Sequence, residues 1–336
     1  MHLRVTHQTT YLYSQTVQSA QHMAWLRPVD TLHQKVLSHS LVITPEPASL
    51  STSQDVYGNQ RSYFSVAAAH QQLQVTACTE IETVTPAIGY SYAPWEQVRE
   101  RFAYRAGQPF DVAAEFIYPS PYVPRHSDFS EYAEPSFTPG RGLFEACIDL
   151  TERIHTECRY APASTDLQTP ARTALAQRQG VCQDFAHIMI GCLRSLGLPA
   201  RYVSGYLLTT PPPGQPRLIG ADASHAWVSV YLPDAEVDLQ LSSTPLNDAQ
   251  ALPFRPASGI TRGYWCDFDP TNNRFGWGTP GADYIVVATG RDFGDVTPLR
   301  GVLTGGASHS LQVGVTVEPV DNPAQPAPAA PAVPAP

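Results

Sequence analysis

The spacing of apolar residues changes twice along the chain, and these changes limit the folds it can adopt. In residues 1 to about 85, apolar and polar residues alternate with period two, as in Leu73–Thr83. From Arg141 the apolar residues recur at steps of three and four, and from Ala200 period two returns. Period two is typical of half-buried strands and the longer step of helices. The pattern predicts an α+β fold in which helices pack on an antiparallel sheet.

These changes also divide the chain into regions. Residues 1–85 are predicted to form a β-rich domain, a small antiparallel sandwich built from short strands separated by turns. Residues 86–140 are rich in proline and aromatic residues and are interpreted as an ordered connector wrapped over a domain surface. The helix-and-strand domain covers 141–320, with 233–263 as a loop inserted between two strands. The Pro/Ala-rich segment 321–336 is predicted to be a disordered tail.

Charge and hydropathy argue against several classes of protein. The formal net charge is −9 and no run of Lys or Arg is present, which argues against a nucleic-acid or anionic-membrane partner. No apolar stretch approaches the length of a transmembrane helix. The chain begins with the strand-like residues Met1–Val5 and no apolar secretory segment, so we expect a cytoplasmic location.

The six cysteines do not resemble a disulfide or metal framework. No CxxC pair occurs, and a chain of 336 residues can build a core without disulfides. The clustered Cys and His spacing of a zinc site is missing, so neither a metal nor another cofactor is expected. Cys78, Cys147 and Cys158 fall in strand or helix patterns and are interpreted as small apolar residues.

Cys182 differs from these because of its position. A short loop ends at Gly180, and an apolar helix pattern then runs from Phe185 to Leu196. Cys182 therefore lies in the first turn of a helix that is predicted to be buried. The dipole and free N–H groups of a helix N-terminus favour a thiolate, and a nearby imidazolium favours it further. Taken alone, the residue is equally consistent with an ordinary buried cysteine.

Two further polar residues stand at the ends of predicted strands. His225 lies near the start of the strand Ser224–Leu232, and Asp269 ends the strand Tyr264–Asp269. A thiol, a histidine and a carboxylate in this order supply the nucleophile, base and orienting acid of acyl transfer. The backbone N–H of Cys182 could serve as one oxyanion donor, while no second donor is identifiable in the sequence.

Each of these residues also has a structural alternative. His225 could be a hydrogen-bonded histidine of the sheet, and Asp269 could simply begin a turn before Pro270. Asp267 shares a strand face with Asp269 and is a rival for the orienting acid. Asp184 complements its helix N-terminus and receives no catalytic role, because a carboxylate facing the thiol would oppose its ionisation.

Four blocks of sequence carry a family resemblance. They are Gly180–His187, Leu198–Tyr206, Ser224–Val228 and Phe268–Thr271. In this order they resemble the bacterial transglutaminase-like family, and residues 1–85 resemble the β-rich N-terminal region of its members. The resemblance implies a papain-like core with Cys182 as nucleophile, His225 as base and Asp269 as orienting acid. The aspartate before Pro-Thr in the family's last block matches Asp269, which favours it over Asp267.

Two features depart from the family pattern. About thirty residues separate the His and Asp strands, where the family usually has a short connection. Cys266 lies close in sequence to the predicted acid; we expect it to be packed away from the site, with redox pairing to Cys182 as the other possibility.

The family resemblance leaves the reaction open. Hydrolysis of a peptide or isopeptide-type amide is the favoured hypothesis, because water is always available and transfer to lysine needs an amine-side pocket. Cross-linking as a protein-glutamine gamma-glutamyltransferase is the alternative, and a non-catalytic binding module with an incomplete triad is a third. No Asp/Glu-rich loop resembles a calcium site, so calcium is not expected. Either reaction predicts a peptide or protein substrate.

Overall fold

The computed structural model describes residues 1–107, 111–162, 169–209, 224–238, 263–306 and 308–320. Most of the predicted inserted loop and the whole predicted tail lie outside the described residues. The strands in chain order are β1 His2–Ala24, β2 Gln34–Thr44, β3 Ser49–Gln54, β4 Gln60–Val66, β5 His70–Thr83, β6 Ile88–Tyr90, β7 Arg159–Tyr160, β8 Gln179–Gly180, β9 Ala200–Leu207, β10 Ser224–Leu232, β11 Glu236–Asp238, β12 Tyr264–Asp269, β13 Arg274–Trp277, β14 Tyr284–Gly290, β15 Leu299–Gly305 and β16 His309–Pro319. The α-helices are α1 Trp95–Phe102, α2 Ser127–Ala133, α3 Leu143–Glu157, α4 Ala171–Gln177 and α5 Cys182–Ser195.

The N-terminal region is one antiparallel sheet organised around the long strand β1. Along the main path the strand order is β2-β5-β1-β4-β3, and β15 and β16 also pair with β1. The first half of β1 pairs with β5 and β16, and its second half with β4 and β15. The alternating pattern buries one face, as the period-two runs predict.

The last two strands of the described chain belong to this N-terminal sheet. Residues Leu311–Val317 are confirmed as strand, since they lie within β16. The prediction that they belong to the domain 141–320 is wrong in this respect, because β16 pairs with β1 from Leu3↔Pro319 to Tyr13↔His309. The α+β core is therefore inserted between strands of one sheet.

The second sheet carries the predicted functional residues. It has the antiparallel strand order β13-β12-β10-β9-β14. Helix α5 packs on β9 and β10, and α2, α3 and α4 lie against α5. Every residue of α5 from Gln183 to Arg194 is buried, so the predicted buried helix is confirmed. The α+β fold class, with helices on an antiparallel sheet, is confirmed as well.

Residues 86–140 contribute to the core and do more than cover a surface. Phe129 of α2 is fully buried, and Phe137, Phe102 and Val98 join the same core cluster. A side chain at Gly191 of α5 would place its Cβ 2.9 Å from the Phe129 ring, so the two helices approach closely at this glycine. The predicted surface connector is wrong here because its aromatic side chains pack against α5.

The two sheets are joined by a shared core and by two side-chain amides. Leu3 and Val317 of the N-terminal sheet belong to the same buried cluster as the α5 residues. β14 is an edge strand, and its free backbone groups are paired by side chains of the N-terminal region. Gln34 bonds the C=O and N–H of Val286 at 2.7 and 2.8 Å. Asn59 bonds the C=O and N–H of Thr289 in the same way, at 2.7 and 2.8 Å. The open edge is thus paired at Val286 and Thr289 without another strand.

Among the described residues, no helix has both the length and the apolar character needed to span a membrane.

The place of β16 can be tested by one pair of substitutions. Val317 is fully buried against the core, and Val313 on the same strand is half exposed. Val317→Asp buries an unpaired carboxylate, and we expect a loss of about 3 kcal/mol or more in the free energy of unfolding. Val313→Asp should cost less than about 1 kcal/mol. Urea denaturation measures both, and equal effects would contradict the packing of β16 against the core.

Candidate active site

Cys182 is the first residue of α5 and is only partly buried. The turn before it is fixed by Asp184, whose Oδ2 accepts the backbone N–H of Val181 at 2.8 Å. A Cβ at Gly180 would lie 2.6 Å from that oxygen, so only glycine fits at this position. Asp184 therefore stabilises the helix start, in agreement with the structural role expected for it.

Tyr160 lies beside the thiol. The short strands β7 and β8 pair in parallel and place Tyr160 opposite Gly180. The tyrosine is half exposed, and its ring meets the edge of Phe185 at 6.4 Å. Burial and the neighbouring charge of Cys182 raise the pKa of Tyr160. The aromatic ring of Tyr160 thus lies on one side of Cys182.

The structure brings the three predicted residues together. His225 Nε2 lies 2.7 Å from Asp269 Oδ2, and the His225 ring also interacts with the side chain of Cys182. Because Nε2 is occupied by the carboxylate, Nδ1 is the ring nitrogen left for the thiol. The three groups form a contiguous Cys–His–Asp chain between the start of a helix and the ends of two strands.

Asp269 makes five hydrogen bonds with residues of the described ranges. Its Oδ1 accepts the backbone N–H groups of Thr271 and Asn272 at 2.9 and 3.3 Å. Its Oδ2 accepts from the Tyr284 hydroxyl at 2.7 Å, from Asn272 Nδ2 at 2.7 Å and from His225. One oxygen therefore begins the turn after β12, and the other lies against the histidine, so the turn and the contact with His225 occur together.

Asp267 has a different partner. Its Oδ2 accepts the indole N–H of Trp227 at 2.8 Å, and the charge of the partly buried Arg201 also acts on it. Burial raises the pKa of Asp267 in spite of these contacts. The rival carboxylate therefore acts on the tryptophan two residues after His225, and Asp269 is the acid that contacts His225.

The pKa values of the pair move in opposite directions. Burial lowers the pKa of His225, but the bonds to Asp269 and Cys182 outweigh it and raise that pKa to about 10. Burial raises the pKa of Asp269, and the hydrogen bonds from His225, Tyr284 and Asn272 more than offset it, so its pKa is lowered. The histidine is therefore held as an imidazolium at neutral pH. A protonated imidazole beside a cysteine stabilises the thiolate form.

Aromatic rings enclose the imidazole. The ring of Trp227 lies 6.0 Å and that of Tyr284 5.9 Å from the His225 ring, and these two rings meet edge to face at 5.3 Å. Gly205 pairs with His225 across the strands, and a Cβ there would lie 2.5 Å from the Trp227 ring. The glycine therefore leaves the space in which the tryptophan packs.

Two residues around Asp269 are missing from the sequence-based site. Asn272 follows the Asp-Pro-Thr block closely and could have been found from that proximity. Tyr284 stands on a different strand, and no local pattern marks it.

The remaining cysteines are separate from this chain of contacts. Cys266 is fully buried and its thiol donates to the Gly276 carbonyl at 3.4 Å, so it is packed in the core as expected. Cys147 is its neighbour, with no disulfide between them. Within the described ranges, no group of three or more His, Cys, Asp or Glu side chains is placed to hold a metal ion.

Comparison with known proteins gives two family matches. Residues 3–82 match the bacterial transglutaminase-like N-terminal region, and residues 131–270 match the transglutaminase-like superfamily. An uncharacterised protein of Mycobacterium bovis is 39% identical over 327 residues, which cover 96% of this chain and 94% of that protein. An uncharacterised protein of Mycobacterium leprae is 27% identical over 318 residues, 94% of this chain and 98% of that protein.

One solved structure shares the fold along almost the whole chain. It is the crystal structure of a candidate cysteine protease from Cytophaga hutchinsonii, with a TM-score of 0.65 and 19% identity. The match covers 97% of this chain and 93% of that one. The likeness supports the arrangement of a β-rich N-terminal region and an α+β core as one common fold.

The raised pKa of His225 predicts how stability depends on pH. The ordinary pKa is 6.5 and the folded one about 10, so the protonated histidine stabilises the fold fully below pH 6.5. This contribution should be lost as pH rises from 6.5 towards 10. The free energy of unfolding of the wild type, minus that of His225→Gln, should therefore fall across this window in urea titrations. Asp269 is ionised throughout it, and a constant difference would contradict the imidazolium assignment.

Proposed function

This chain belongs to the transglutaminase-like superfamily, and on that premise we propose that it is a cysteine hydrolase of peptide or isopeptide-type amides. One observation carries the proposal: the thiol at the start of a buried helix meets a histidine whose other nitrogen lies 2.7 Å from a buried carboxylate. This is the arrangement that acyl transfer through a thioester requires.

The first half of the proposed reaction forms the thioester. The Cys182 thiolate attacks the amide carbonyl carbon, and the carbonyl oxygen takes the negative charge. The backbone N–H of Cys182 lies in the first turn of α5, where N–H groups lack acceptors within the helix, and can donate to that oxygen. The His225 imidazolium then gives its proton to the leaving nitrogen as the C–N bond breaks, and the amine departs.

The second half returns the enzyme to its starting state. Neutral His225 takes a proton from water, and the resulting hydroxide attacks the thioester carbonyl. The C–S bond breaks, the carboxylic acid is released and Cys182 is again a thiolate beside an imidazolium. Asp269 stays ionised throughout and holds Nε2 through the 2.7 Å hydrogen bond. Its low pKa suits this role, because a carboxylate that took the proton could not stabilise the imidazolium.

The nucleophile is tested with a library of peptide amides and isopeptides in the presence of a primary amine. We expect carboxylic acid products, and a loss of about a thousandfold or more in turnover for Cys182→Ala, because the thiol is the attacking atom. Cys192→Ala is the matched control, since it removes a buried thiol from the same helix. Mass spectrometry identifies the products and a trapped adduct on Cys182.

The outcomes of this assay separate the alternatives. Products that contain the amine and no acid would replace hydrolysis by cross-linking transfer. Unchanged turnover in Cys182→Ala would remove the nucleophile assignment. No turnover, together with equal alkylation of Cys182 and the partly exposed Cys78, would favour a non-catalytic binding module.

The choice of carboxylate is tested by a second pair of variants. Asp269→Asn removes the charge that holds the His225 imidazolium, so we expect a loss of about a hundredfold or more in kcat/KM. Asp267→Asn keeps an oxygen that can accept from Trp227, and its cost should stay below about tenfold. Steady-state kinetics measure kcat/KM for both variants. A larger loss in Asp267→Asn than in Asp269→Asn would identify Asp267 as the orienting acid.

A further inference from the structure

Tyr284 makes contacts that reach the proposed catalytic pair. Its side chain is almost fully buried, its hydroxyl donates to Asp269 Oδ2 at 2.7 Å, and its ring packs against those of His225 and Trp227. Burial and the charge of Asp269 raise its pKa, so it remains a neutral donor. The same carboxylate oxygen accepts from His225, and the position of Tyr284 therefore affects where that oxygen lies.

Tyr284 is the first residue of an edge strand that the N-terminal sheet holds on both sides of it. The Thr83 hydroxyl donates to the Ala282 carbonyl, two residues before Tyr284. The Gln34 amide bonds both backbone groups of Val286, two residues after it. Gln34 is itself buried and also donates to the Val29 carbonyl at 2.6 Å, which fixes the amide in place.

The strand is irregular at this point. The pairing of β14 with β9 shifts register between Val286 and Ala288, as in a β-bulge. A bulge leaves the local hydrogen-bond ladder incomplete, so hydrogen bonds from a neighbouring side chain add support to the backbone there. Gln34 bonds Val286 at the start of this irregularity, and the nearest side chain on the same face of β14 is that of Tyr284.

We propose that Tyr284 is a positioning residue for the His225–Asp269 pair, and that the N-terminal sheet holds Tyr284 in place through the amide of Gln34. The inference rests on the proposed thiol chemistry of Cys182. It gives the N-terminal region a direct role in the site. Gln34 bonds the backbone of Val286, two residues from Tyr284, and the side chain of Tyr284 contacts Asp269. Asp269 in turn contacts His225, which interacts with the thiol.

The electrostatics predict the direction of the effect. Among the described residues, the titratable or charged groups that face His225 or its acid are Cys182 on α5, Asp269 on β12, Tyr284 on β14 and Arg274 on β13. The Tyr284 hydroxyl draws negative charge on Asp269 Oδ2 towards itself and away from the imidazolium. Its removal leaves the carboxylate held by Asn272 and two backbone N–H groups, with more of its charge directed at His225. The imidazolium should then persist to higher pH.

The chain offers a matched control in Asn59. Its amide bonds both backbone groups of Thr289 on the same strand, at the same distances as the Gln34 amide on Val286, and it is equally buried. Thr289 lies five residues from Tyr284. Loss of either amide should therefore cost similar stability, and only loss of Gln34 should reach the site.

The test uses the full chain and iodoacetamide, with the Cys182 adduct quantified by mass spectrometry from acid to alkaline pH. In the wild type, the rate constant should change once as the thiolate forms and again where His225 loses its proton. In Tyr284→Phe and Gln34→Met, we expect the second change to move to higher pH by about half a unit or more. In Asn59→Leu, it should stay within about 0.2 units of the wild type.

Thermal melting accompanies these profiles. Gln34→Met and Asn59→Leu should lower the Tm by similar amounts. A pH shift in Gln34→Met alone would then not be caused by a general loss of stability. A Gln34→Met profile that coincides with the wild type, a shift to lower pH, or an equal shift in Asn59→Leu would each overturn the proposal.

The alkylation profile is independent of any substrate. If no amide is hydrolysed and the profiles shift as expected, the proposed hydrolysis fails and the positioning role of Tyr284 stands. If amides are hydrolysed and the profiles coincide, the hydrolysis stands and the positioning role fails. Where turnover is measured, Tyr284→Phe should lower kcat with little change in KM.

Discussion

A carboxylate without access to water must obtain all its hydrogen bonds from the protein, and Asp269 is such a group. Its five donors come from β10, from the turn after β12 and from β14, so the charge is tolerated only when these segments are assembled. The same bonds hold His225 in place beside the first turn of α5. Much of the architecture can be understood as the support of this one buried charge.

Local patterns placed Cys182, His225 and Asp269 at the ends of a helix and two strands, and the family resemblance grouped them, so their contacts could be predicted from the sequence. The Asp-Pro-Thr block also separated Asp269 from Asp267 correctly as the contact of His225. Tyr284 and Gln34 could not be found in this way. The roles of Tyr284 and Gln34 depend on which strand lies at the sheet edge and on which residues cover that strand. Both are determined by contacts between residues about 250 positions apart, such as Gln34 and Val286.

The predicted and observed folds differ at two places because local sequence patterns do not determine long-range packing. Period two predicts a strand over Leu311–Val317 but does not say which sheet that strand joins. In the structure it pairs with β1 of the N-terminal sheet. Aromatic residues in 86–140 indicated order, yet composition cannot distinguish a side chain that covers a surface from one that enters a core. Phe129 enters it because Gly191 on α5 leaves room for the ring.

The pairing of Leu3 with Pro319 has a consequence for biosynthesis. Strand β1 is synthesised long before its neighbours β15 and β16, so one long side of β1 stays unpaired until those strands are made. An open strand edge recruits other chains, and contacts this distant in sequence form slowly. Until β15 and β16 are made, the nascent chain is therefore open to association with other chains along this side of β1.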